Sequence, residues 1–172
     1  MNKLEIRKYP DPVLKKKAEE VKEITPEIRK LIEEMVLTIG EGKGVGLAAP
    51  QVGVSKRIIL FETGEGVTAL INPKINKKSK KQFIDIEGCL SFPDIWVKVK
   101  RPERVEVEAQ DILGRKIQME ASMMASRVLQ HELDHLDGVL FIERINLLEK
   151  LKVRDKLNKL KKKYASNRKS DK

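Results

Sequence analysis

Both histidines of the chain lie in one hexapeptide, Gln130-His131-Glu132-Leu133-Asp134-His135. Residues at i and i+4 share one face of a helix, so both imidazoles can reach one metal ion. The glutamate that follows the first histidine lies one step round the turn. A carboxylate there can handle a proton on a metal-bound water. The plainer alternative is a solvated histidine pair on an amphipathic helix. Two histidines under-hold a catalytic metal, which usually takes three protein ligands plus water. With no third histidine in the chain, the third ligand must be Cys89, an Asp or a Glu. Cys89 is the single cysteine and stands in Glu87-Gly88-Cys89-Leu90-Ser91, just after the alternating Ile84-Asp85-Ile86. A strand end can aim a thiolate, and Gly88 permits close approach of other groups. A small buried hydrophobe is the competing reading of a lone cysteine, and spacing alone does not separate the two.

A third segment is Gly44-Val45-Gly46-Leu47-Ala48-Ala49-Pro50-Gln51. Its small residues let a substrate backbone lie close to the protein. Gln51 is a neutral side chain able to donate to a developing oxyanion. Taken alone, the segment reads more readily as a glycine-rich helix-to-strand loop. It lacks the Lys-Ser/Thr ending of a phosphate-binding loop.

The elements that must position these groups are legible from periodicity. Pro10 and Pro12 mark a turn before a short helical piece near Val13 to Glu20. Thr25-Pro26 opens a helix, with threonine as N-cap and proline at the first helical position. Ile28, Leu31, Ile32, Met35, Val36 and Ile39 give it one apolar face, and Gly40 to Gly46 end it. Arg57 to Glu62 and Val67 to Ile71 read as strands joined at Gly64 to Gly66. Ile84 to Ile86 and Trp96 to Val99 alternate, and Arg104 to Gln110 with Arg115 to Glu120 forms a hairpin. Met123 to Leu136 is the helix that carries the histidines, with Gly138 as its stop. After Val139 to Ile142, a final helix runs from about Asn146 to Tyr164, with Ile145, Leu148, Leu151, Leu157 and Leu160 as its buried stripe. The tail from Ala165 is polar and frayed. The expected fold is a single α+β domain over residues 1–172. Mostly antiparallel strands pack around a central HExxH helix, with a basic C-terminal helix and tail from about residue 146.

Composition narrows the class. The chain has 172 residues, 40% hydrophobic, which suits one globular domain with a sizeable core. Charged residues make up 36%, dominated by Lys and Glu, a thermophile tendency. The net charge of +10 reads either as a soluble, well-solvated surface or, more sharply, as an acidic partner such as RNA. The excess is concentrated after Lys150, where few acids offset the lysines. A lone cysteine makes no internal disulfide. Neither a secretory h-region nor a membrane-length apolar run is visible, so a cytoplasmic protein with no membrane partner is expected.

Together the three motifs resemble those of the peptide deformylase family: Gly-x-Gly-x-Ala-Ala-Pro-Gln, then Glu-Gly-Cys-Leu-Ser, then Gln-His-Glu-x-Asp-His. They stand here in that order at Gly44 to Gln51, Glu87 to Ser91 and Gln130 to His135. The resemblance covers about residues 1 to 145. It implies Cys89, His131 and His135 as ligands of one divalent metal ion, typically Fe²⁺, with Zn²⁺, Ni²⁺ or Co²⁺ also able to occupy the site. Glu132 becomes the general base and acid. Gln51 and the backbone N–H of Leu90 hold the oxyanion, and the Gly44-Val45-Gly46 backbone holds the peptide. The implied reaction removes the formyl group from the N-formyl-methionine end of new polypeptides and releases formate. The ribosome is then the partner that the basic C-terminal helix suggests, a solvated helix being the alternative; no DNA partner is implied. Two features depart from the family: Met123 and Met124 open the histidine helix, where small residues are common, and Trp96 stands where some relatives carry arginine. Trp96 therefore either walls the substrate cleft or packs in a strand. Ile86, Val45, Met124 and Val128 flank the motifs and are candidates for a methionine pocket, with core packing as the alternative.

Two rival readings remain. A zincin-type protease would take its third ligand downstream, from Glu143 or Glu149. A non-catalytic RNA-binding protein with a structural metal would need a fourth protein ligand.

Overall fold

The computed structural model describes residues 2–42, 44–64 and 66–167. Its helices are α1 (Pro26–Gly42), α2 (Met123–Leu136) and α3 (Leu147–Asn167). Its strands are β1 (Gly46–Ala48), β2 (Ile58–Glu62), β3 (Val67–Lys78), β4 (Gln82–Cys89), β5 (Phe92–Pro102), β6 (Arg104–Gln110) and β7 (Lys116–Ser122). A five-stranded sheet runs in the order β1-β2-β3-β6-β7, and β4-β5 is a separate two-stranded hairpin. Every strand pair is antiparallel. The fold is α+β with antiparallel sheets and a C-terminal helix, as expected.

The run Ile58-Ile59-Leu60-Phe61 shows why the five-stranded sheet is covered on both faces. Alternate residues of a strand point to opposite sides, yet all of these are buried. Ile58 and Leu60 pack with Ile32, Met35 and Ile39 of α1. Ile59 and Phe61 pack with Leu129, Leu133 and Leu136 of α2. The outer strands carry the simpler pattern: Val105, Val107 and Ala109 of β6 turn inward to the α2 side. A third cluster joins Ile95, Val97 and Val99 of β5, with Phe92 at the start of that strand, to Val153 and Leu160 of α3. Between them Trp96, Lys98 and Lys100 face outward.

On α2 every residue from Ser126 to Leu136 is buried, charged side chains included. Buried charges must be paired, so this helix has to bring its partners with it. Its end follows from Gly138, which holds φ +70°; a Cβ there would lie 2.5 Å from the Lys15 carbonyl oxygen.

Three local expectations change. The helical piece at Val13 to Glu20 is only a 3-10 turn, Pro12–Lys15, capped by the Asp11 carboxylate on the Val13 N–H at 3.0 Å. Beyond it, Ala18 N–H donates to the Leu136 carbonyl at 2.7 Å and Glu19 bridges Lys56. The open end of α2 needs such donors, and that tertiary demand overrides local helix propensity. On α3 the buried stripe is Val153 and Leu160, flanked by Leu157 and Tyr164, while Leu148 and Leu151 are 69% and 53% exposed. The helix is rotated because the carboxylate of Glu149 turns inward and accepts from the Lys98 N–H at 3.1 Å. The tail expected to fray from Ala165 is helical to Asn167; residues 168–172 lie outside the described residues. So does Glu65 of the turn between β2 and β3.

Candidate active site

Cys89 ends β4 at a tight hairpin turn, paired across to Phe92. His131 and His135 stack on one face of α2 with ring centroids 5.1 Å apart. The turn and the helix face each other. Cys89 Sγ lies 3.2 Å from His135 Nε2, and one ligand atom from each of Cys89, His131 and His135 falls within 4.8 Å of the others. Packing, not sequence proximity, brings these groups together.

The donor set suits a divalent cation. One sulfur and two imidazole nitrogens match zinc and first-row transition metals. A tetrahedron built on such bonds has edges of about 3.5 Å, near the 3.2 Å between Cys89 Sγ and His135 Nε2 and shorter than the 4.8 Å that bounds the whole set. The electrostatics agree. Burial opposes a charged His131, but the hydrogen bonds it donates to Cys89 and Glu87 outweigh that and raise the imidazole to about 10. Burial, with the His131 charge beside it, keeps His135 well below the ordinary histidine range, so its lone pair is free. Among the described residues no fourth Cys, His or carboxylate completes the cluster. A four-coordinate ion held by these three residues would keep one position for a non-protein ligand, as catalytic rather than structural sites do.

Glu87 organises the surroundings. Its Oε1 accepts from Arg101 Nε at 2.6 Å and Arg127 Nη1 at 2.5 Å. Its Oε2 accepts from Arg101 Nη2 at 2.9 Å and faces His131 Nδ1 at 3.1 Å. Burial pushes the carboxyl up, yet the Arg101 and His131 bonds prevail and hold it at about 2. An ionised carboxylate only accepts, so His131 Nδ1 must donate and Nε2 is left for the metal side. Arg101 reaches on to Asp134 at 2.7 Å, tying β5 to α2. Nothing in the sequence marks Arg101 or Arg127 as buried, although Glu87 belongs to the same motif as Cys89.

A Glu87→Gln substitution is expected to weaken metal binding by about 10- to 100-fold, read by competition with a chelator. The same variant tests the depressed carboxyl. A group at about 2, against its ordinary 4.5, stabilises the fold above pH 4.5 and loses that contribution as pH falls toward 2. The gap in urea unfolding free energy between the metal-free parent and variant should shrink by about 3 kcal/mol as pH falls through that window.

Glu132 follows His131 on α2 and lies within contact of β1. A Cβ on Gly46 would collide with its carboxylate, so a side chain there would displace Glu132. Burial is the main cause that raises Glu132 to about 7, and its Oε2 has no hydrogen-bond partner among the described residues. A buried, unpartnered carboxylate poised near neutrality is suited to exchange protons with a bound molecule. Gln51 is oriented by the Ala48 N–H, which donates to its Oε1 at 2.7 Å. That leaves Nε2 to point at Cys89 Sγ, 3.4 Å away, and Ser91 Oγ, 3.5 Å away. The N-terminal segment clamps both sides: Arg7 N–H donates to the Gln51 carbonyl at 2.7 Å and Tyr9 N–H to the Ser91 carbonyl at 3.0 Å. Lys8 Nζ donates to the Leu90 carbonyl at 2.6 Å. The sequence carries no signal for this clamp.

The groups open onto a cleft of about 670 Å³. Gly44, Val45 and Gly46 form one rim, and Cys89, Leu90, His131 and Glu132 the floor. Ile86, Met124 and Val128 line it as well, and Val45, Ile86 and Met124 are more than half exposed, which excludes core packing for those. Trp96 also walls the cleft, 66% exposed, with its ring laid against Gly88; a Cβ on Gly88 would lie 2.6 Å from that ring.

Residues 3–151 match the sequence model of a family described as polypeptide deformylase. The peptide deformylase of Thermodesulfovibrio yellowstonii is 47% identical over 152 residues, 86% of this chain and 92% of that protein. Chloroplastic peptide deformylase 1B of Oryza sativa subsp. japonica is 42% identical over 169 residues, 95% of this chain and 63% of that protein. Among solved structures, an inhibitor complex of Plasmodium falciparum peptide deformylase superposes with a TM-score of 0.86 at 44% identity, covering 91% of this chain and 98% of that one.

Proposed function

The chain belongs to the polypeptide deformylase family, and from that premise we propose how its own residues carry the reaction. The enzyme removes the formyl group from the N-terminus of nascent polypeptides. The observation that best supports the reading is the convergence of Cys89, His131 and His135, with Cys89, His131 and the unpartnered Glu132 lining one cleft and His135 buried just behind them.

Cys89, His131 and His135 are the metal ligands in this reading, and Fe²⁺ is the native ion, with Zn²⁺, Ni²⁺ or Co²⁺ as substitutes. A divalent cation held there would supply Lewis acidity, bringing the pKa of a water toward neutrality. Glu132 takes the proton of the attacking water and later hands it to the departing amine. Gln51 Nε2 and the Leu90 N–H donate to the formyl oxygen as it gains charge. The products are formate and a free amino terminus. The backbone at Gly44 to Gly46 lies at the edge strand of its sheet, so a peptide can add to it as an extended strand. The apolar cleft wall at Val45, Ile86, Met124 and Val128 takes the methionine side chain. Removing the Gln51 donor by Gln51→Leu should lower turnover by about 10²- to 10³-fold with metal retained, and an undiminished rate would take it off the oxyanion site.

The same reading treats residues 1–172 as one catalytic unit with α2 at its centre, supported by the burial of every residue from Ser126 to Leu136. Cytoplasmic location belongs to it too; no helix among the described residues is long and apolar enough to cross a membrane. The exposed lysines of α3 offer a contact with the ribosome.

The deciding measurement is formate release from a formyl-Met tripeptide by anaerobically purified protein with its metal counted. Turnover lost on chelation and restored by Fe²⁺ is expected. Cleavage of unformylated peptides without formate release would favour the protease reading.

A further inference from the structure

A second cavity of about 300 Å³ lies on another face of α2, against Gln130, Leu133 and Asp134, and shares no lining residue with the catalytic cleft. Arg57, Lys74, Lys78, Lys100, Arg101 and Arg144 line it, against the carboxylates of Asp134 and Asp137. Both carboxylates are already engaged. Arg57 holds Asp137 at 2.8 Å. Asp134 is shared by Arg101 at 2.7 Å and Arg144 at 2.6 Å. Lys74, Lys78 and Lys100 are exposed and make no ion pair among the described residues. Like charges gathered at one concave site repel one another, and an anion relieves that repulsion.

We propose that this cavity docks the phosphodiester backbone of RNA. Lys74 and Lys78 stand four residues apart along β3, a span of roughly 13 Å, and Lys100 adds a third cation from β5. Cations spread this far suit successive phosphates better than one small anion. The basic surface continues past the cavity to Lys80 in the turn between β3 and β4. Arg144, with its side chain 47% exposed, has its guanidinium fork on Asp134, so among the described residues the free cations of the site are the three lysines. The substrate chemistry points the same way, because a growing polypeptide is carried by an RNA-rich particle. The site lies apart from the cleft, so RNA held there leaves the catalytic floor open.

The test is titration of a fluorescent single-stranded oligouridine against full-length, metal-loaded enzyme over a range of salt concentrations. The combined substitutions Lys74→Gln, Lys78→Gln and Lys100→Gln should weaken binding by about 10- to 100-fold and make the salt slope shallower by about 2. Formate release from a short formyl-Met peptide should not change, which also shows that the variant is folded. Each single substitution should flatten the slope by about 0.7, so the test survives a triple variant that fails to fold. Unchanged affinity and slope would overturn the proposal. So would loss of binding that follows Arg154→Gln and Lys159→Gln on α3 instead, or inorganic phosphate binding as tightly as the oligonucleotide.

Discussion

Replacing Glu132 by glutamine should lower formate release by about 10³- to 10⁴-fold while the protein keeps a full metal complement. The substitution preserves size and leaves Cys89, His131 and His135 in place. It removes only the capacity to accept and return a proton. The carboxyl stands at about 7, raised chiefly by burial. A cation beside it favours the charged form and draws that value down, so the acid limb of the rate profile should fall below pH 7. Turnover then rises with pH as Glu132 ionises, and Glu132→Gln should abolish that limb. A variant that kept most of its rate with metal bound would remove Glu132 from the proton-transfer role.

Cys89→Ala should empty the metal site, weakening affinity by at least about 100-fold, because losing a ligand exceeds the effect of losing a partner that merely orients one. Metal counting after dialysis reads this directly, and formate release should fall to background. Cys89→Asp or Cys89→Ser separates geometry from sulfur chemistry: either variant holding metal with altered turnover would show that an oxygen can replace the sulfur as donor. Full metal occupancy in Cys89→Ala would instead return the third-ligand question to the carboxylates. Glu143 is a poor candidate, being engaged by Lys15 at 2.6 Å, and Glu149 is bound to Lys152 and the Lys98 N–H. Among the described residues the protease reading is thus left without a downstream ligand near the histidines.

Much of the site is legible in the sequence. The i, i+4 histidine pair needs only a helix, and the apolar period of Met123 to Leu136 predicts one. The strand end at Cys89 and the loop before Gln51 are equally local features. Which faces turn inward when two elements compete is not written locally. On α3, Leu148 and Leu151 fit an apolar stripe as well as Val153 does; the Glu149 bond to Lys98 N–H selects the rotation. At Ala18 and Glu19, donors demanded by the end of α2 displace a local helix.

Residue types and their spacing define the chemical inventory: a sulfur, two imidazoles, a carboxylate and an amide, each at a position its own element can aim. Their meeting at one point is a product of tertiary packing. Cys89 and His135 are 46 residues apart, and Gln51 and Cys89 are 38 apart. The buried arginines Arg101 and Arg127, which hold Glu87 against His131, look in sequence like any other surface cations. Periodicity reports one element's own faces, whereas a charge becomes buried and paired only when two elements pack, and that packing is set by contacts distant in the chain.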